Sequence, residues 1–364
     1  MKLALLTAIT LFAIVPVAAQ NELKQLDTLR AEGYDALYNL DYERARNRFL
    51  KMIDVAPEHP AGPQSVASSL WLQHLNNAWE LQATLYSADS YANGKAQADR
   101  NQADEFRKWI RRSKQLSEAR LRKDPQDVEA LYFLGAAEGL EAAFAGSVER
   151  KYRAALRAGS NSVDHHRNVL KLSPEFRDAE LTIGLLNYVV GSLPLPVKMI
   201  AATMGVRGSK KKGLQTLERV SAEGQWARDV ARVLLVDLYK REKRWADAVK
   251  TAGELSQKYP RNYLFKLQMA DALVSQIESL RKTKAPSNVE EKELTSIFTS
   301  LFRDKTVDAS TLDLIHFRYG EALVSLGQRE TAAKEFTAVV NRGAANPELK
   351  TIARQRLDKI RKKR

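Results

Sequence analysis

Apolar residues recur at i, i+3, i+4 and i+7 along most of the chain, as in Leu26, Leu29, Gly33 and Leu37. The same period returns through Val233, Leu234, Val236, Leu238 and Tyr239. It predicts amphipathic helices, and no stretch alternates as a half-buried strand would. Prolines punctuate the pattern at Pro57, Pro125, Pro174, Pro260 and Pro347. A residue that fixes φ and lacks an N–H cannot continue a helix, so each predicts a joint. Long helices are expected near 63–90 and 102–123. An insertion over Val189–Val206 carries Gly191, Pro194 and Pro196, and a polar linker is expected over 281–289. Glu348 to Arg364 reads as an amphipathic closing helix with a basic tail, through Leu349, Ile352, Ala353, Leu357 and Ile360.

One spacing occurs three times. Gly33, Tyr42, Ala45, Phe49 and Pro57 lie 9, 3, 4 and 8 residues apart, and Val236, Trp245, Ala248, Ala252 and Pro260 repeat those intervals. Gly320, Arg329, Ala332 and Phe336 repeat the first three. A small residue where helix A crosses helix B permits close approach, and a proline ends the unit. Gly33-x8-Tyr42-x2-Ala45-x3-Phe49-x7-Pro57 resembles a tetratricopeptide repeat. The resemblance implies an all-α fold: a right-handed α-α superhelix, a solenoid of helix hairpins with lengthened helices and a C-terminal capping helix. It would span 20–347, irregular over 58–230, with the cap and tail at 348–364. A looser likeness runs through Gly184-x3-Tyr188-x5-Pro194, Gly205-Val-Arg-Gly208 and Gly213 to Leu217. It is similar to the central part of the Iml2-like inclusion-clearance repeat family, which implies no catalysis.

The tetratricopeptide resemblance places the A helices on a concave groove and so names candidates. Arg30, Tyr34, Leu37 and Tyr38 would face it first, then Tyr132 and Ala136, then Thr182, Leu185 and Tyr188, and finally Asp237, Lys240 and Arg241. Tyrosines mixed with charges suit capture of a peptide, since they bring large contact area and a polar tip. The alternative for each is inter-repeat core. Ser209 is a candidate N-cap beside Lys210, Lys211 and Lys212, a pattern able to hold an anion. The 189–206 insertion either docks outward or folds back as extra core. The second is expected, because large exposed apolar patches are uncommon.

Charge and composition narrow the partner. The chain of 364 residues carries a formal charge of +14 and no cysteine. Disulfides and thiolate metal sites are therefore excluded. Met1-Lys2, an apolar run from Leu3 to Val17 and Ala18-Ala19 read as a signal peptide over 1–19, cut after Ala19. That predicts the periplasm or secretion, and with it no nucleic-acid partner. Expected instead is a protein or peptide of the cell envelope. The alternative is an anionic lipid or glycan surface, met by the insertion and by basic zones at 95–123 and 348–364. His59, His74, His165, His166 and His316 show no metal spacing, so neither metal nor cofactor is expected. Glu138 and Glu141 lie one turn apart without a nucleophile motif, which points to a scaffold without catalysis. Trp71, Leu75, Trp79, Gln82 and Tyr86 form a helical stripe expected in the core.

Overall fold

The computed structural model describes residues 17–77, 100–195, 198–199, 202, 207–342 and 347–362. These residues form seven helix hairpins and a closing helix, with no strand among them. The hairpins are α1 (Val17–Tyr38) with α2 (Tyr42–Val55), α3 (Ala61–Asn77) with α4 (Arg100–Lys123), and α5 (Val128–Ser147) with α6 (Tyr152–Leu172). Next come α7 (Glu180–Ser192) with α8 (Lys210–Glu223), α9 (Arg228–Arg241) with α10 (Trp245–Lys258), and α11 (Tyr263–Lys282) with α12 (Asn288–Arg303). Last is α13 (Ala309–Ser325) with α14 (Arg329–Asn341), and α15 (Pro347–Lys362) closes the array. Each helix packs on its neighbours in the chain, and Leu349, Ala353, Leu357 and Ile360 of α15 bury its apolar face.

One turn closes four of the hairpins. Leu40, Lys243, Lys284 and Gly327 have φ of 65°, 58°, 58° and 79°. The next residue's N–H donates to a carbonyl five positions back: Asp41 to Ala36 (2.9 Å), Arg244 to Tyr239 (2.8 Å), Ala285 to Leu280 (2.9 Å) and Gln328 to Leu323 (2.8 Å). This closure satisfies helix-end carbonyls and needs a left-handed residue, the usual place for glycine. Only Gly327 meets it at no steric cost.

A second device sets the distance between paired helices. A Cβ added at Gly320 would sit 2.8 Å from the ring of Phe336, and one at Gly33 would strike Phe49. Both rings are fully buried. In the α9–α10 pair the sizes are exchanged, with Val236 on the first helix and Ala252 on the second, both in one buried cluster. Gly135 abuts His166 in the same manner. His166 is buried; its Nε2–H donates to the Tyr132 carbonyl (3.1 Å) and its Nδ1 accepts from the Thr182 hydroxyl (2.6 Å). Burial pushes its pKa down from 6.5 to about 4.

The proline joints stand where expected. Pro57, Pro125, Pro174 and Pro260 fall between helices, and Pro347 is the first residue of α15. The polar linker over 281–289 shortens to 283–287, because α11 runs on to Lys282 and α12 starts at Asn288. Helix α3 covers the start of the predicted 63–90 helix; Trp79, Gln82 and Tyr86 lie outside the described residues, as does most of the 1–19 segment. In the described part of the 189–206 insertion, Leu195 and Met199 are 71% and 63% exposed, which corrects the expected folding back as core for these two side chains, while Val190 is buried and 196–197, 200–201 and 203–206 lie outside the described residues. The cause is local. Gly213 lies against the backbone of Tyr188, and Gly208 against that of Asn187, so α7 and the start of α8 leave no gap for further side chains.

Two outcomes are expected. Alanine at an exposed mid-helix glycine gains about 1 kcal/mol, whereas Gly320→Ala should lose about 1–3 kcal/mol by overpacking. Gly320→Val combined with Phe336→Ala should recover part of the loss of Gly320→Val alone. Denaturant midpoints of these variants and of Phe336→Ala alone decide it, and additive losses would contradict the size exchange. Separately, His166 is held neutral, so the unfolded chain binds more protons between pH 6.5 and about 4. Stability should be full above pH 6.5 and fall by up to ~3 kcal/mol as pH drops to about 4. A pH profile that His166→Gln leaves unchanged would contradict this.

Candidate functional site

The loop before α9 decides what becomes of the first half of the expected groove. Asp178 Oδ1 accepts the backbone N–H groups of Gln225 (2.9 Å), Trp226 (2.9 Å) and Ala227 (2.7 Å), which fixes the loop that leads into α9. Trp226 then stacks on Phe133 at 5.5 Å and meets Tyr132 at 5.4 Å. The Arg30 guanidinium lies 4.2 Å from the centre of its ring, a cation–π contact, with Tyr34 at 5.7 Å. Tyr38 packs on Tyr259 at 5.0 Å, and the Tyr259 hydroxyl donates to Asp229 (2.7 Å). Backbone closes the same contact, with Asn262 Nδ2 donating to the Tyr38 carbonyl (2.7 Å) and the Arg261 N–H to Asn39 Oδ1 (3.1 Å).

Several groove candidates are therefore corrected. Arg30, Leu37 and Tyr132 are buried, and Tyr34 and Tyr38 are half-buried against the chain itself. The array curls until its first hairpin meets the loops before α9 and α11, and that contact occupies the face a ligand would have used. Tyr188 is also buried. Its hydroxyl donates to Glu242 Oε1 (2.7 Å), and burial with that bond pushes its pKa up to about 12. Ala136, Thr182 and Leu185 are half-buried, with the Thr182 hydroxyl committed to His166. Lys210 pairs with Glu242 (2.8 Å), the Lys212 N–H donates to Ser209 (3.4 Å), and the side chains of Lys211 and Lys212 are exposed.

Asp237 and Lys240 belong to a different surface. Lys240 Nζ donates to Gln268 (2.6 Å) and Asp271 (2.7 Å) and lies 3.5 Å from the buried Asp237. Arg318 stands 3.6 Å from Asp271 and 3.7 Å from Glu321, and Arg356 donates to Glu321 (3.0 Å). Acid and base thus alternate from α9 through α11 and α13 to α15. Burial raises the pKa of Asp237 despite the lysine, whereas Lys240 and Arg318 hold Asp271 below the usual range against its burial. Arg241 is exposed at the end of α9. Beyond Asp271 opens a cavity of about 640 Å³, floored by Leu267, Ala270, Val274 and Phe298. Five basic side chains line it, among them Arg318, Arg329 and Lys359, against the two acids Asp271 and Glu321.

Asp271, Arg318, Glu321 and Arg356 were missed at the level of sequence. The signal was present in the register: Asp271 follows Asp237 by thirty-four residues, one tetratricopeptide period. Glu321 follows Gly320 as Asp237 follows Val236 and Tyr34 follows Gly33. Trp226 had no such signal, since it lies in a loop.

A small-residue crossing answered by a large partner, one turn type, and A helices on a shared face define the unit. The fold is a tetratricopeptide-like solenoid of helix hairpins. No family model matches this repeat protein, and no curated protein matches it in sequence. Among solved structures it is similar to a thermophilic tetratricopeptide protein of Thermus thermophilus, at 15% identity over 70% of this chain and 98% of that one, with a TM-score of 0.37. A tetratricopeptide protein of Parabacteroides merdae is similar at 12% identity over 93% and 99%, with a TM-score of 0.34. Human IFIT1, as a dimer with m7Gppp-AAAA, is similar at 12% identity over 96% and 87%, with a TM-score of 0.34. Likenesses this distant say nothing of ligand or partner.

The remaining candidates for chemistry have structural partners. Lys114 lies 3.1 Å from Glu141 and 3.5 Å from Glu138, and His165 lies 3.4 Å from Glu138. His59 and His316, isolated in sequence, meet Glu129 (3.1 Å) and Glu335 (2.6 Å). Among the described residues no cluster of three or more His, Asp or Glu is arranged for a metal, and no helix is long and apolar enough to cross a membrane.

The Trp226 contact makes an asymmetric prediction. Trp226→Ala should cost about 3–5 kcal/mol. Arg30 Nε and Nη1 have no hydrogen-bond partner among the described residues. Arg30→Met, which keeps the volume, should therefore be neutral or stabilising. Thermal unfolding of both variants tests it, and a loss for Arg30→Met as large as for Trp226→Ala would contradict the cluster as described.

Proposed function

We propose that this helical repeat scaffold acts in the cell envelope, holding a segment of a partner protein against the concave face of α9, α11, α13 and α15. The single observation that carries the reading is the cavity beyond Asp271, where an apolar floor lies beside an alternating ladder of charge. Apolar contacts supply most of the attraction in such a site, and charges select register and partner. The excess of basic side chains favours a segment with apolar anchors and acidic flanks. Arg318 is the best placed to receive a carboxylate, since its two ion pairs are longer than hydrogen bonds. Catalysis is no part of this reading. Export is supported by the apolar N-terminal run, and among the described residues the buried core begins at Leu26.

A photo-crosslinking amino acid placed at Val274 in cells should give a discrete crosslinked product that the same residue at Lys292, exposed on α12, does not. Arg318→Glu should reduce the Val274 product by about tenfold, the loss of one charge-assisted contact and its replacement by repulsion. No product at Val274, or equal products at both positions, would overturn the concave-face reading. N-terminal sequencing of the cellular protein tests export independently, with Gln20 expected as the first residue.

A further inference from the structure

Nine large apolar side chains stand out as exposed among the described residues, and five of them, Tyr152, Leu156, Val189, Leu195 and Met199, fall in two short segments. The fold brings those segments to one edge. The turn between α6 and α7 reverses the chain, and His166 meets Thr182 close to it. The far ends of the two helices, at Tyr152 and Ser192, therefore point the same way. The glycine-mediated contact of α7 with α8 adds Lys211 and Lys212 to the same edge.

The two segments themselves carry charge of one sign, with Glu149 and Glu242 beside them meeting Lys151 and Lys210. No acidic residue occurs from Arg150 to Val163, nor from Leu181 to Leu217. Between them the two stretches hold nine lysines and arginines, including the exposed Arg153 and Arg157 on α6. In most of this chain acids and bases alternate, so two acid-free stretches meeting at one edge set that edge apart. Leu156, Leu195 and Met199 are 62%, 71% and 63% exposed. Apolar side chains in water within a cationic surround match the two layers of a lipid interface: headgroup charge outside, acyl chains beneath. A glycan would call for aromatic platforms and hydrogen-bonding side chains instead, and among the described residues Tyr152 is the one exposed aromatic at this edge.

We propose that the edge formed by the start of α6, the end of α7 and the start of α8 rests on an anionic phospholipid surface. Leu195 and Met199 enter the interface, and the lysines and arginines lie over the headgroups. The groove of α11, α13 and α15 is built from other helices, so the two surfaces can be engaged together.

The test is co-sedimentation of the full chain with vesicles of phosphatidylcholine alone or mixed with phosphatidylglycerol. Binding to the anionic vesicles should exceed binding to the neutral ones by about tenfold or more and weaken as salt rises. Leu195→Glu with Met199→Glu should lower it by about tenfold at every salt concentration, since apolar insertion is not screened. Lys211→Gln with Lys212→Gln should lower it several-fold at low salt and little at high salt. All four positions are exposed, so unchanged thermal unfolding is expected alongside. Equal binding to both vesicles would overturn the proposal. So would variants that bind like the parent, which would place attachment on the N-terminal run or the basic tail. A shift in the oligomeric mass of Leu195→Glu/Met199→Glu with unchanged vesicle binding would mark the edge as a contact between copies instead.

Discussion

Two helices can approach only as closely as the side chains at their crossing allow, and here that distance is set by pairing an absent side chain with a large one. Gly33 receives Phe49 and Gly320 receives Phe336, while Val236 and Ala252 reach a comparable fit with the sizes reversed. The sum of volumes is held while the individual residues vary, which is how close-packed interiors tolerate substitution. Everything larger follows from that spacing. A fixed approach within each hairpin fixes how the next hairpin is presented, so small constant rotations accumulate into a curved array.

Curvature has a consequence that nearest-neighbour packing does not contain. The array bends until α1 meets chain more than two hundred residues away, through Tyr38 on Tyr259 and Asn262 on the Tyr38 carbonyl. A solenoid held only by adjacent contacts can open at any joint, whereas this one carries a long-range clasp. Asp178 is central to the clasp through the backbone: by accepting three N–H groups it places Trp226 over Arg30. The clasp divides the concave surface. Its first part is filled by aromatic rings, and its last part, from α11 to α15, stays open.

Much of the architecture was legible because it rests on residue type at fixed spacing. The prolines at 57, 125, 174 and 260 marked joints for a backbone reason that no tertiary context reverses. The crossing glycines were legible for the same kind of reason. Leu40, Lys243 and Lys284 were not, because the hairpin turn imposes positive φ on whatever residue arrives there, and three of four turns accept the strain. The groove candidates failed for a different cause. Arg30, Tyr34 and Tyr132 do lie on inward faces, as the repeat register implies, but the register describes one hairpin and its neighbour. Whether an inward face meets solvent or a distant loop depends on total curvature, which no local spacing encodes. Leu195 and Met199 were misjudged on general grounds about exposed apolar surface, which carry little weight where Gly208 and Gly213 have already closed the space beneath.

The open part of the groove differs in chemistry from the filled part, and the difference bears on how it would work. Aromatic rings around Arg30 exclude water and make a contact meant to persist. Between α9 and α15, by contrast, Lys240 with Asp271 and Arg356 with Glu321 form closed pairs, and Arg318 stands more loosely between the two acids. A self-satisfied ladder adds little net attraction, because a partner's charges must displace pairs that already exist. What it supplies is discrimination: a segment whose charges match the alternation exchanges one pair for another, and a mismatched segment leaves a charge unpaired beside a half-dry floor. Affinity would then come from Leu267, Val274 and Phe298 beneath. Such a division, apolar contact for strength and exchangeable pairs for choice, suits a scaffold that must hold one segment among many and release it.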